Sequence, residues 1–231
     1  MSSVAIVPAR GGSKRLPRKN IRDFAGKPIL AWSVETALQS ELFETVMVST
    51  DDEQVAAIAR SHGAQTPFPR SPIAASDTAT LSEALREVLL QYRANGQQYE
   101  TACCLFATAP FITIDALERG KRLLDHEDFD VVLPVVEFDY PVWRGLARDT
   151  TGKVAMLFPE HENSRSQDLP PSYHDAGQWV WFRTEPFLDG QPLLGPRTGS
   201  VVISAATAQD IDTEDDWTIA ELKFQALRSR S

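Results

Sequence analysis

The chain has 231 residues with 23 Lys and Arg against 32 Asp and Glu, a formal net charge of -9 and a pI near 5.0. That balance excludes general nucleic-acid or membrane-surface binding, which needs broad basic surface, and the length suits a single α/β domain, 1–231, with a small excursion rather than two full domains. No apolar run of about eighteen residues and no charged-then-apolar leader occurs, so neither a membrane span nor a secretory signal is expected, and cytoplasmic residence is the expectation.

Val4, Ala5, Ile6 and Val7 form a short apolar, β-favouring run that ends at Pro8. Gly11, Gly12, Ser13 and a cluster of cations follow: Arg10, Lys14, Arg15, Arg18, Lys19 and Arg22 place six of the 23 basic residues in thirteen positions, with no acid among them. This reads as a buried first strand running into an anion-binding loop, where glycines let main-chain N–H groups form a nest for phosphate oxygens and the cations add charge. A solvated surface turn is the alternative. The spacing fits neither G-x-x-x-x-G-K-[ST] nor G-x-G-x-x-G, because Gly11 and Gly12 are adjacent and Leu16 stands where a later glycine is needed. A nicotinamide dehydrogenase is disfavoured on that ground.

The string PARGGSKRLPRKN resembles the N-terminal signature of the cytidylyltransferases that activate nonulosonic acids, P-A-R-x-x-S-K-x-x-x-x-K-N, through Pro8, Ala9, Arg10, Ser13, Lys14, Lys19 and Asn20. The 3-deoxy-manno-octulosonate cytidylyltransferases begin similarly but lack the Lys-Asn pair. The resemblance implies a three-layer α/β/α, Rossmann-like nucleotidyltransferase with a mostly parallel sheet, CTP as one substrate and Mg²⁺ as cofactor. It implies nucleotide contacts at Ala9, Arg10, Gly11, Ser13 and Asn20, with Arg10, Lys14 and Lys19 stabilising charge on the reacting phosphates.

Pro28 to Ser40 carries an approximate helical stripe, Thr45 to Thr50 (TVMVST) reads as the second strand, and Asp51-Asp52 at its carboxyl end open a helix from Glu53 to His62. An aspartate pair there is an N-cap more often than a metal ligand. PFPRSP (Pro67 to Pro72) is a loop centred on Arg70, and SDTAT caps a helix from Leu81 to Ala94. The resemblance sets Arg70, Asp77, Thr78 and Ala79 over the cytosine and ribose.

Thr101 to Phe106 is a strand whose adjacent thiols, Cys103 and Cys104, point to opposite faces as core filler. Four scattered histidines show no zinc spacing. ATAPFI follows where sialate-using family members carry Q-P-T-S-P-L-R. Phe106, Ala107, Ala109, Phe111 and Ile112 therefore predict a less polar rim and a deoxygenated, acylated sugar such as pseudaminic acid. Phe106 and Thr108 are candidate sugar contacts.

A helix at Ile114 to Asp125 and a strand at Asp130 to Val136 continue the alternation, which breaks down beyond Glu137. Phe138, Tyr140 and Trp143 open an aromatic, proline-bearing stretch, and 138–172 reads as an excursion. Exposure of those rings predicts a covering subunit, hence a homodimer, which the resemblance also implies; a flap packed on its own sheet is the alternative. SQDLPPSYHDAGQ matches the pseudaminate branch and implies sugar contacts at Tyr173, His174, Asp175, Gly177 and Gln178, with Arg165 and Gln167 near the subunit boundary. His174-Asp175 is equally an ordinary turn pair before the strand Gln178 to Phe182.

Gly199 to Ser204 is a last strand. Asp210 and Asp212, two apart, project to one side of an extended segment and suit Mg²⁺ held with substrate phosphates. Alternatively Asp212 or Thr213 caps the helix Glu214 to Leu227. D-I-D-T-E-x-D also resembles the family's metal-binding end. The expected reaction is transfer of CMP from CTP to the anomeric hydroxyl of pseudaminic acid, with Mg²⁺ on Asp210 and Asp212 and the cytidine held by Asn20 and Arg70. A sialic acid cytidylyltransferase and a non-catalytic nucleotide-binding protein are the alternatives.

Overall fold

The computed structural model describes residues 2–12 and 16–229. The opening apolar run is strand β1 (Ser3–Pro8), and Val4 through Val7 are fully buried. A hairpin of β2 (Asp23–Phe24) and β3 (Lys27–Pro28) leads to α1 (Ile29–Gln39), β4 (Thr45–Ser49) and α2 (Glu53–Ser61). Next come α3 (Leu81–Ala94), β5 (Thr101–Leu105), α4 (Ile114–His126) and β6 (Val131–Glu137). The excursion holds a second hairpin, β7 (Leu146–Arg148) and β8 (Val154–Met156). It is followed by β9 (Tyr173–Asp175), β10 (Trp179–Arg183), α5 (Thr184–Leu188), β11 (Thr198–Val202) and α6 (Glu214–Arg228).

The main sheet has the order β11-β6-β10-β5-β1-β4, with β9 also paired to β6. β1 is parallel to β4 and β5, and β11 is parallel to β6, whereas β10 runs antiparallel between β5 and β6. The carboxyl ends of β1, β4 and β5 therefore share one edge, where ligands bind in open α/β sheets. β9 continues that edge. Val132 pairs with Trp181 and Val135 with Asp175, so Leu133 and Pro134 lie opposite the longer stretch 176–180. Pro134 has no N–H to donate, and the change of partner falls at its position, with Gly177 at φ +63 taking the turn.

Strand alternation divides the core into two faces. Ala5, Val7, Cys103, Trp179 and Trp181 pack with residues of α1, α2 and α4. Val4, Ile6, Cys104, Val180 and Phe182 pack with α3 and with Phe187 of α5. That is the expected three-layer arrangement, and it puts the two thiols on opposite faces. Burial pushes the pKa of the Cys103 thiol well up and that of Cys104 to about 12, so neither is a ready nucleophile.

A third cluster joins distant segments. Leu16, Phe24, Ile29 and Phe111 enclose Ile211, Trp217, Ala220 and Phe224 of the C-terminal segment and α6. Trp217 meets Phe24 edge-on at 5.5 Å, and the Arg22 guanidinium lies 4.4 Å from its ring centroid.

In the excursion Phe138 and Tyr140 are exposed as expected, but Trp143 is not a free surface ring. Its indole N–H donates to Pro170 O at 2.9 Å and its ring meets Phe158 and His161, giving the arm a half-buried aromatic cluster of its own. Among the described residues no helix is long and apolar enough to cross a membrane.

Candidate active site

Above the shared carboxyl edge lies a cavity of about 540 Å³, lined by Pro8, Arg10, Lys19, Asn20, Arg70, Asp77, Phe106, Ala107, Thr108 and Asp212. Its volume suits a small-molecule ligand. Three cations and two carboxylates line it.

Each polar group is placed by its own backbone context. Arg10 follows β1, and its Nη1 pairs with Asp77 Oδ1 at 3.0 Å and donates to Ser76 O at 3.4 Å. Asn20 Nδ2 donates to Arg10 O at 2.9 Å, tying the two ends of the cationic segment together. Lys19 begins a 3-10 turn (Lys19–Ile21). Its Nζ donates to Ile211 O at 2.5 Å and pairs with Asp212 Oδ1 at 3.1 Å. Residues 193 positions apart thus meet on one wall.

Arg70 is only 8% exposed. Its Nε donates to Ser49 Oγ at 3.1 Å and its Nη2 to Ser49 O at 2.7 Å. Burial lowers the guanidinium's pKa from the usual arginine value, against the raising pull of Asp51 and Glu87. The cation is thereby poorly solvated and rigidly aimed, a good partner for an acceptor entering the cavity.

The predicted site residues separate into groups. Arg10, Lys19, Asn20, Arg70, Asp77, Phe106, Thr108 and Asp212 share the cavity wall. Ser13 and Lys14 lie outside the described residues. Ala9 is fully buried in the core, with its N–H donated to Ser49 O at 3.0 Å. Gly11 does not offer its N–H to the cavity as expected, because that N–H donates to Asp51 Oδ1 at 3.0 Å. Thr78 and Ala79 lie beyond Asp77 in the turn that leads to α3, whose cap is Thr80 in a reciprocal capping box with Glu83. They are not on the cavity wall.

Asp212 and Asp210 part company. Asp212 lines the cavity, whereas Asp210 is exposed and is not on its wall. The cap of α6 is Thr213, boxed with Asp216, so Asp212 is left for the cavity. Thr213 and the Asp212 backbone N–H hold the Asp216 carboxyl below its usual range. Among the described residues no group of three or more His, Cys, Asp or Glu could by itself hold a metal ion. One or two carboxylates beside a cationic anion site do fit Mg²⁺, which commonly takes its remaining ligands from water and substrate phosphates.

The predicted sugar contacts lie away from the cavity wall, apart from Phe106 and Thr108. Tyr173, His174 and Asp175 are exposed on β9, where the His174 ring meets Phe138 at a tilt with centroids 4.8 Å apart and its Nδ1 meets Asp175 O at 2.9 Å. Arg165 and Gln167 are exposed in the excursion. Gln178 is 2% exposed, its amide nitrogen donating to Thr207 O and its backbone O accepting the Phe106 N–H at 2.8 Å. It supports the wall from behind. Of the apolar replacements in FATAPFI, only Phe106 and Ala107 reach the cavity. Ala109, Ile112 and Phe111 are core, Phe111 packing with Phe224.

Sequence reasoning missed Ser49, whose position at the end of a strand carried no signal of its contact with Arg70. It also read Arg18 and Arg22 as part of the anion site. Arg18 instead pairs with Asp52 at 3.2 Å and Arg22 with Glu214 at 2.7 Å.

A family model described as Cytidylyltransferase matches residues 4–195. The chain is 35% identical over 225 residues to "Pseudaminic acid cytidylyltransferase" of Campylobacter jejuni subsp. jejuni serotype O:23/36 (strain 81-176), covering 97% of each. It is 30% identical over 219 residues to "N-acylneuraminate cytidylyltransferase A" of Danio rerio, covering 94% of this chain and 49% of that protein. In fold it is similar to a CMP:2-keto-3-deoxy-manno-octonic acid synthetase solved with CTP, with TM-score 0.70 and 18% identity over 99% of this chain and 100% of that one.

Proposed function

The chain belongs to the cytidylyltransferase family, and from that premise we propose that it transfers CMP from CTP to the anomeric hydroxyl of pseudaminic acid, releasing pyrophosphate. The observation that carries the reaction type is the meeting of Lys19 and Asp212 on the wall that also holds Arg10 and Arg70. The sugar rests on the 35% identity to a pseudaminic acid cytidylyltransferase over nearly the whole of both chains. The apolar rim at Phe106 and Ala107 supports it.

In-line attack on the α-phosphorus builds negative charge on the non-bridging and leaving oxygens, so catalysis is chiefly positioning and electrostatics. Arg10 and Lys19 neutralise that charge. Arg70, braced by Ser49, holds the cytidine together with Asn20, and Phe106 and Thr108 face the incoming sugar. Asp212, with Asp210 beside it in sequence, would hold Mg²⁺ together with triphosphate oxygens, and the ion would supply Lewis-acid stabilisation there. Tyr173, His174 and Asp175 on β9, and Arg165 and Gln167 in the excursion, complete the sugar site in this reading.

A homodimer is part of the same proposal. Phe138, Tyr140, Leu146, Val154 and Leu157 are exposed apolar side chains on the excursion that a second copy would cover. Light scattering on the 25.6 kDa chain is expected to give a dimer, and Leu146→Glu with Leu157→Glu a monomer. A monomeric wild type at micromolar concentration contradicts this. A cytoplasmic setting accords with the free, buried thiols of Cys103 and Cys104.

The sugar assignment is tested by offering pseudaminic acid and sialic acid separately with CTP and following pyrophosphate. Discrimination of about a hundredfold or more in kcat/KM for pseudaminic acid is expected, because a wall without matching polar groups leaves the extra hydroxyls of sialic acid unpaired. Equal or better use of sialic acid overturns it.

A further inference from the structure

The acids that open α2 grip the cationic loop from outside the cavity. Asp51 Oδ1 accepts the Gly11 N–H at 3.0 Å. Asp52 Oδ1 caps α2 by accepting from Gln54 N at 2.8 Å and Val55 N at 3.0 Å, while its Oδ2 pairs with Arg18 Nη1 at 3.2 Å. Arg18 Nη2 donates to Gln54 Oε1 as well. Neither aspartate lines the candidate active site; both line a separate depression with Thr50, Glu53 and Phe68. The loop is tied closely to this support. A Cβ at Gly11 would come within 2.7 Å of Asp52 Oδ2 and 2.8 Å of Asp52 Cβ, and Arg18 holds the left-handed conformation at φ 59.

Arg10 and Lys19 face the cavity next to the two gripped residues, Gly11 and Arg18. We infer that Asp51 and Asp52 are positioning residues for the nucleotide: they hold the Gly11 main chain and the Arg18 guanidinium so that Arg10 and Lys19 are presented to the triphosphate before it arrives. This rests on the cytidylyltransferase reading and adds to it a pair of acids that favour binding of a polyanion without touching it. Their oxygens are engaged outside the cavity by a backbone N–H, a helix terminus and a guanidinium, so they favour the polyanion by ordering the groups that meet it. A carboxylate acting only as an acceptor can be replaced there by an amide oxygen.

The test combines CTP titration calorimetry, steady-state kinetics and amide hydrogen exchange across residues 9–20 of the ligand-free protein. Asp51→Ala is expected to raise the CTP dissociation constant about tenfold and to speed exchange in the 9–20 segment. The KM for the sugar should stay within twofold, and Asp51→Asn within threefold of wild type in every readout. Arg18→Met, which leaves the α2 cap intact, is expected to weaken CTP about threefold by the same route and serves if Asp51→Ala does not fold. Unchanged exchange, unchanged or tighter CTP binding, or an Asn variant as poor as the Ala variant overturns the brace. Failure of the wild type to bind CTP is a different result: it removes the cytidylyltransferase reading, and the positioning role falls with it, whatever the exchange shows.

Discussion

Asp212→Asn is expected to lower kcat about a thousandfold with little change in stability. The size of the loss follows from what the carboxylate does in the proposed reaction, since removing one preorganised electrostatic partner from a transition state that concentrates charge costs about 10²–10³ in rate. Its structural worth is small by comparison. The Lys19–Asp212 pair is part-exposed, with side chains 18% and 30% accessible, and such pairs contribute about 0–1 kcal/mol. A domain of this size would then lose no more than about 4 °C in Tm. Measuring kcat at saturating CTP and sugar beside a thermal melt separates the two effects. A variant that turns over within tenfold of wild type would point to a nucleotide-binding protein whose chemistry does not use this carboxylate.

Trp217→Ala is expected to be the most damaging single change to the C-terminal segment, destabilising the protein by roughly 3–5 kcal/mol through lost burial and the cavity left behind. Trp217 is 2% exposed in the cluster formed by Phe24, Ile29, Phe111 and Phe224. That cluster fastens α6, and Ile211 within it is the residue immediately before Asp212. Loosening it therefore reaches the candidate active site. At a temperature where the variant is still folded, kcat is expected to fall while the CTP dissociation constant rises by less than about fivefold, because Arg10 and Arg70 are held by β1 and β4. Chemical denaturation with kinetics below the transition checks both parts. A loss under about 1.5 kcal/mol, or full activity in a strongly destabilised variant, would show that Asp212 is positioned independently of α6.

The regular elements were legible because their physics is local. Val4 to Val7, TVMVST and TACCLF are apolar β-favouring runs that are buried on both sides of the sheet, and four of the long helices, α2, α3, α4 and α6, carry their side-chain caps in sequence. The antiparallel insertion of β10 was not legible, since a fully buried strand has the same pattern in either direction. The excursion was recognisable only by loss of periodicity. Its hairpin strands, β7 and β8, are three residues each, too short to show alternation.

Within the candidate site the sequence located the loop that borders the cavity and overstated how many of its cations face it. Arg10 and Lys19 reach the cavity, whereas Arg18 and Arg22 turn to Asp52 and Glu214, acids supplied by α2 and α6. Composition counts charges, but a left-handed residue at Arg18 followed by a 3-10 turn sends successive side chains in different directions. FATAPFI shows the same limit, because a turn between β5 and α4 sends Phe106 and Ala107 to the cavity and Ala109, Phe111 and Ile112 into the core. Asp51-Asp52 was visible as a helix opening. That its first member holds a loop forty residues away depends on β1 and β4 being neighbours, which only the sheet order reveals.

The account's central claim is that one cavity joins the cationic turn after β1 to a carboxylate from the C-terminal segment around a nucleoside triphosphate. A crystal structure of the protein with CTP and Mg²⁺ tests it most directly. The account predicts phosphate oxygens between Arg10 and Lys19, the cytidine toward Arg70, and the metal on Asp212. A nucleotide seated elsewhere, or a metal bound with no contact to Asp212, would contradict it.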